Sequence, residues 1–146
     1  FVALAGELMN QAGATVVLLG DQGDQESIIS IHDWPRGVIN TAGETTIDDL
    51  IALLKNASCV IAHDSGIMHL ANAIGVPLIA LYGPTDFTAT KPLGESSTIL
   101  YSKTEAFAAM YRSTASEKKL AEEYPNYSAM AGITVSDVMQ VVKKLL

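Results

Sequence analysis

The chain has 146 residues, 49% of them apolar and 17% charged, so it holds one ordinary domain, or one half of a larger two-domain enzyme, can bury a core and is not disordered. Nine basic against sixteen acidic residues leave a formal charge of -7, which excludes the broad phosphate-neutralising surface that a nucleic-acid partner needs. The acids are uneven: Glu7, Asp21, Asp24, Glu26, Asp33, Glu44, Asp48 and Asp49 face one base, Arg36, within residues 1–50, so any anion near that half must be held by local dipoles.

Phe1, Leu4, Ala5, Leu8 and Met9 recur at helical spacing, and Gly13 follows where a glycine stops a helix. This opening is no signal peptide, because Glu7, Asn10 and Gln11 interrupt it and no basic region precedes it. Thr15–Gly20 is a short β-branched run closed by glycine, the mark of a buried parallel strand. Asp21–Glu26 reads as a loop, opening a short helix over Ser27–Ile31, and Val38–Asn40 as a brief strand. Thr45 or Thr46 caps a helix from Ile47 to Lys55 whose buried stripe is Ile47, Leu50, Ile51 and Leu54, with Asp48 and Asp49 complementing its dipole.

Cys59–Ala62 is the next strand. Its cysteine is the only one in the chain, which excludes an internal disulfide and a cysteine zinc site, fits a reducing cytoplasm and reads as a core thiol. His63–Gly66 is a tight turn, Ile67–Ile74 a helix ended by Gly75, and Leu78–Tyr82 a strand, which completes a βαβ unit. Gly83–Asp86 turns the chain and Thr98–Tyr101 is one more strand. Residues 103–132 are polar, broken by Pro125, and suggest a mobile helix and loop; Thr134 or Ser136 then starts a last helix with Val135, Val138, Val142 and Leu145 on one face. No run of eighteen apolar residues spans a membrane.

Strands alternating with helices predict an α/β fold, a Rossmann-like doubly wound parallel sheet, in one domain over 1–146. Such a sheet does not normally begin with a helix, so the pattern reads as a fragment lacking its first strand. Ligands of these sheets bind at the carboxyl ends of the strands. Four loops share that end here: Gly20–Glu26, Asn40–Thr46, His63–Gly66 and Gly83–Thr90.

The His63–His69 segment is the most informative. Ser65 and Gly66 fall on the first turn of a helix, whose free N–H groups can dock a diphosphate without a lysine, and His69 lies one turn further to add a donor. Asp64 repels phosphate and so must cap the helix or accept from hydroxyls. The plainer alternative is that Asp64 and Ser65 only cap the helix and His69 is a core histidine. Asp24 and Glu26 are placed to accept from a ribose diol, or form a solvated acidic loop. Thr85, Thr88 and Thr90, with Asp86 and Lys91, bring hydroxyls and one cation near a sugar or phosphate, or are ordinary turn residues. Trp34 and Tyr82 suit either core or wall. The six-residue spacing of His63 and His69 does not suit paired zinc ligands, and a metal site is not expected. P-loop, dinucleotide and nucleophile-elbow motifs are absent.

Three blocks in order carry a resemblance: Thr41-Ala42-Gly43-Glu44-Thr45-Thr46-Ile47-x-x-Leu50-x-x-Leu53-Leu54, then Asp64-Ser65-Gly66-x-x-His69-x-Ala71-x-Ala73-x-Gly75-x-Pro77, then Tyr82-Gly83-Pro84-Thr85-x-x-x-x-x-Lys91-Pro92. Together they resemble glycosyltransferase family 9, the ADP-heptose:lipopolysaccharide heptosyltransferases and their relatives. The resemblance implies the C-terminal, donor-binding domain of a GT-B enzyme that transfers heptose or a related sugar from a nucleoside diphosphate, ADP-heptose, to a lipopolysaccharide-type glycolipid. It implies inversion without a metal or other cofactor, a general base on an acceptor domain absent from these residues, and a cytoplasmic location, peripheral at the inner face of the inner membrane. Carried over by motif, Asp64, Ser65, Gly66 and His69 meet the diphosphate and sugar, Glu26 or Asp24 the ribose, and the loop with Gly43 and Thr45 borders the base, with Thr85 near the donor. Taken alone, the domain is expected to bind donor weakly and transfer nothing. Two rivals stand beside this reading: a flavodoxin- or receiver-like module without catalysis, and a nucleotide-sugar epimerase, which needs an acid/base pair around the sugar.

Overall fold

The five residues Leu78–Tyr82, apolar apart from one hydroxyl, are all buried, and in the computed structural model they form the central strand of a three-stranded parallel sheet. The structure describes residues 1–103 and 130–146. Two compact units emerge, Phe1–Leu53 and Leu54–Leu146.

In the first unit, α1 (Val2–Ala12) ends at Gly13, whose left-handed backbone donates its N–H to the carbonyl of Leu8. Leu4 and Ala5 are its buried residues, and Gly6 faces the Pro35 ring. Strands β1 (Val17–Leu18) and β2 (Ile39–Asn40) pair in parallel. The expected six-residue strand is thus much shorter, and half-buried rather than fully buried. Its backbone pairing nevertheless runs on: Ile39, Thr41 and Gly43 donate to the carbonyls of Val16, Leu18 and Gly20.

The Asp21–Glu26 loop is also corrected. Residues Gln22–Ile29 form a helix, α2, because Asp21 is its N-cap and accepts from the amides of Gly23 and Asp24, while Asp24 accepts in return from the amide of Asp21. Trp34 is half-buried and its indole N–H donates to the carbonyl of Ile28. Helix α3 (Ile47–Asn56) starts in this unit. Thr46, not Thr45, is its cap: the Thr46 hydroxyl accepts from the Asp49 amide and donates to the Asp49 carboxylate. The bonds that the Thr46 hydroxyl and then the Thr46 amide donate to the Asp49 carboxylate hold it below the usual range.

In the second unit β3 (Val60–His63), β4 (Leu78–Tyr82) and β5 (Ser97–Tyr101) lie side by side in that order, all parallel. Register pairs His63 with Leu81 and Tyr82 with Tyr101. Helix α4 (Gly66–Ile74) packs on β3 and β4 through the buried Met68 and Ala71, and stops at Gly75, which has a left-handed backbone. A four-residue helix, α5 (Phe87–Thr90), follows β4. The last helix, α6 (Val135–Leu145), is capped by Thr134 and packs on β5; Val138, Met139 and Val142 are its buried residues. Helices α1, α3, α4 and α6 and strands β3 and β4 each bury a small set of apolar residues, worth about 1.5–3 kcal/mol for a large side chain, whereas α2 and α5 bury none. The helix and loop expected over 103–132 fall mostly outside the described residues. Of the five described strands, every pairing is parallel, as the α/β reading requires.

Candidate functional site

The carboxyl end of β3 delivers Asp64, Ser65 and Gly66 in succession, because His63 closes the strand and Gly66 opens α4. Ser65 is the N-cap, with extended backbone (φ -159°, ψ 169°), and its hydroxyl accepts from the Met68 amide at 3.4 Å. Ser65 and Gly66 are exposed, and a Cβ placed on Gly66 would meet nothing within 4 Å. The first turn of α4 therefore faces open space on that side, with its leading N–H groups at the positive end of the helix dipole.

Asp64 does not cap α4, contrary to one expectation. Its Oδ2 accepts from the Thr90 hydroxyl at 2.7 Å, and its Oδ1 lies 3.9 Å from Nε2 of His69. The distance marks an ion pair only when the imidazole is protonated. His69 is no core histidine: 51% of its side chain is exposed, against 13% for Asp64. His69 is the fourth residue of α4, one turn on from Ser65, and its imidazole is half exposed there. His63, the other histidine of the segment, is exposed at the strand end.

The loop after β4 comes to the same place. Asp86 caps α5, its carboxylate accepting from the amide and the hydroxyl of Thr88 at 2.8 and 2.7 Å. Those bonds hold the Asp86 carboxyl below the usual range. Thr90 sits at the end of α5 and reaches back to Asp64. Of the three threonines picked out in the sequence, Thr88 and Thr90 have hydroxyls engaged inside the protein, and Thr85 lies half-buried in the turn before Asp86. Lys91 is exposed. Tyr82 is core, not wall: it is fully buried, and its hydroxyl donates to the carbonyl of Thr90 at 3.0 Å and lies 3.5 Å from Sδ of Met68.

The remaining expected site residues, Asp24, Glu26, Gly43 and Thr45, belong to the first unit, and two of them, Asp24 and Gly43, lie against Gly20. Asp24 packs so closely there that a Cβ on Gly20 would lie 2.8 Å from the Asp24 Cβ. Gly43 has φ +73°, a left-handed backbone that favours glycine, donates to the Gly20 carbonyl at 3.0 Å, and abuts the Gln25 side chain. Asp24 and Gly43 are thus brought together. The Asp24 carboxylate is engaged in capping α2, whereas Glu26 on α2 is exposed and makes no side-chain hydrogen bond or ion pair among the described residues, which favours Glu26 of the two acids as an acceptor for a ligand. Thr45 is half-buried in the β2–α3 loop.

Two pieces escaped sequence reasoning. The Thr90–Asp64 bond joins residues 26 apart, and only the adjacency of β3 and β4 brings their outgoing loops together. The capping box on Asp21 and Asp24 is written in the sequence as Asp-x-x-Asp, a helix-start signal. Among the described residues, no group of three or more His, Cys, Asp or Glu is placed to hold a metal ion, and no helix is long and apolar enough to cross a membrane.

Comparison with known proteins supplies the family context. A family model described as glycosyltransferase family 9 (heptosyltransferase) matches residues 1–121. Over 103 residues the chain is 45% identical to lipooligosaccharide heptosyltransferase 2 of Haemophilus influenzae, a stretch covering 67% of this chain and 30% of that protein. In structure it is similar to E. coli ADP-heptose LPS heptosyltransferase II, with a TM-score of 0.73 and 26% identity over 99% of this chain and 39% of that one. It is similar also to a family 9 glycosyl transferase from Veillonella parvula, with a TM-score of 0.77 and 25% identity over 99% of this chain and 40% of that one. The fold is the Rossmann-like α/β arrangement of these enzymes. The chain spans 30% to 40% of the length of these relatives.

Proposed function

This chain belongs to glycosyltransferase family 9, the heptosyltransferases, and on that premise we propose that it is the donor-binding, C-terminal half of a GT-B transferase. The donor is ADP-heptose or a close analogue, the acceptor a lipopolysaccharide-type glycolipid, and transfer inverts the anomeric carbon without a metal. The acceptor domain and the general base lie in another part of the enzyme, which works on the cytoplasmic face of the inner membrane.

One observation carries the reading: the exposed Ser65–Gly66 turn, at the carboxyl end of β3, opens α4 with unobstructed space before Gly66. Amides fixed there hold the diphosphate in the ground state and stabilise the charge that develops on it as the glycosidic bond breaks. His69, one turn on and half exposed, donates to the same phosphates or to a sugar hydroxyl. Asp64 keeps Oδ1 for a sugar hydroxyl while Oδ2 is bound by Thr90.

Amide chemical shifts test this. ADP and ADP-heptose titrated into the isotopically labelled protein should move Ser65, Gly66 and His69 together, with UDP-sugars weaker. If all three ligands leave these signals in place, the donor site is elsewhere.

A further inference from the structure

Resting on the donor site just proposed, we propose that Thr90 is a positioning residue, which tethers the Asp64 carboxylate away from the Ser65–Gly66 amides and so keeps the anion site clear for the donor's diphosphate. A carboxylate that directly precedes the first turn of a helix is itself a good ligand for that turn, since aspartate is among the favoured N-capping residues. Left free, the Asp64 side chain would compete with a diphosphate for the same N–H groups, and its charge would repel the one it failed to displace. Yet Ser65 caps α4, and among the described residues Asp64 accepts from no amide of that helix. What holds it instead is the Thr90 hydroxyl at 2.7 Å.

Thr90 is itself firmly placed. The buried Tyr82 hydroxyl donates to its carbonyl at 3.0 Å, the Phe87 ring stands edge-on to the Tyr82 ring with centroids 6.1 Å apart, and Asp86 caps the short helix that carries it. The tether thus runs from the core of the central strand, through the hydrogen-bonded Asp86–Thr90 turn, to one oxygen of Asp64. Rotation about the Cβ–Cγ bond of a free aspartate is broad and roughly two-fold; the bond from Thr90 distinguishes the two oxygens and leaves Oδ1 beside His69.

Thr90→Val removes the hydroxyl at nearly constant shape, Thr90→Ala removes it with the methyl, and Thr90→Ser keeps it. Calorimetric titration of the full-length protein with ADP and with ADP-heptose, alongside thermal unfolding, reads the result. Val and Ala are expected to weaken ADP about tenfold, the scale of a hydrogen bond to a charged group, with Ser close to the parent. In an Asp64→Asn background, where no carboxylate competes, Thr90→Val should have little further effect on ADP. A Val variant that binds ADP like the parent, a loss equally large in the Asn background, or unfolding of both Val and Ala while Ser stays folded would each overturn the tether. A parent protein that binds neither ADP nor ADP-heptose would instead overturn the donor site on which it rests, and the tether with it.

Discussion

Replacing Gly66 by alanine separates folding from ligand binding at the proposed diphosphate site. Gly66 is the first residue of α4, does not have a positive φ, and has nothing within 4 Å of the position a Cβ would take. Alanine therefore fits without strain, and it removes backbone freedom from the unfolded chain, so stability should rise by about 0.5–1 kcal/mol. The same methyl occupies the space from which an anion approaches the amides of the first turn. A phosphate oxygen seated there must move outward or rotate, and affinity for ADP should fall tenfold or more, about 1.4 kcal/mol or greater. The two effects have opposite signs, so no folding defect can imitate the binding loss. Denaturant unfolding and calorimetric titration on the same preparation measure both. A variant at least as stable as the parent that binds ADP equally well would mean that the diphosphate does not rest on this turn. A variant less stable than the parent would refute the backbone argument itself.

Gly20→Ala should behave in the opposite way: the new methyl would lie 2.8 Å from the Asp24 Cβ and 2.9 Å from its carboxylate, and displacing a side chain that caps α2 should cost about 1–3 kcal/mol in denaturant unfolding. Ser65→Ala removes the α4 cap, and because the bond to Met68 is long at 3.4 Å, the loss should be near 0.5–1 kcal/mol by the same measurement; no loss would mean that water serves the turn equally well. Burial pushes the Cys59 thiol up to about 11 from a usual value of 9.0, so its thiolate is scarce at pH 8 and iodoacetamide should label it roughly a hundredfold more slowly than an ordinary thiol, with the rate rising toward pH 11. Labelling as fast as a free peptide cysteine would place that side chain in solvent.

Much of the fold could be read where local chemistry and burial agree. Gly13 and Gly75 announced helix ends that the structure realises with left-handed backbones, and the apolar run Leu78–Tyr82 announced the central strand to the residue. The last helix began at Thr134, one of two starts that the sequence allowed, because Asp137 completes a reciprocal cap with it. Reading failed where polar composition hid a helix. The stretch Gln22–Ile29 carries no buried residue, so no apolar periodicity marks it, and its start depends on the reciprocal hydrogen bonds of an aspartate pair, worth about 1 kcal/mol. The first strand was overestimated for a related reason: Val16–Gly20 is paired along its backbone but only half-buried, and hydrophobicity alone does not tell one situation from the other.

The site divides along the same line. Ser65 and Gly66 were legible because a strand, a small turn and a helix follow within a few residues, and helix termini expose amides whatever the tertiary context. For Asp64 the sequence left two roles open, capping the helix or accepting from hydroxyls, and could not name the partner, since an aspartate before a serine at a helix start has two competing partners: the amides it adjoins, and whatever another loop brings. Local propensity favours the amides. The parallel register His63–Leu81 decides otherwise, by setting the end of β4 beside the end of β3 and so bringing Thr90 within 2.7 Å of the carboxylate. A doubly wound sheet binds at its carboxyl edge because that edge collects loops from distant parts of the chain. The contacts that tune such a site are therefore the ones that sequence spacing is least able to reveal, and in this protein the first to look for are those between the loop after β3 and the loop after β4.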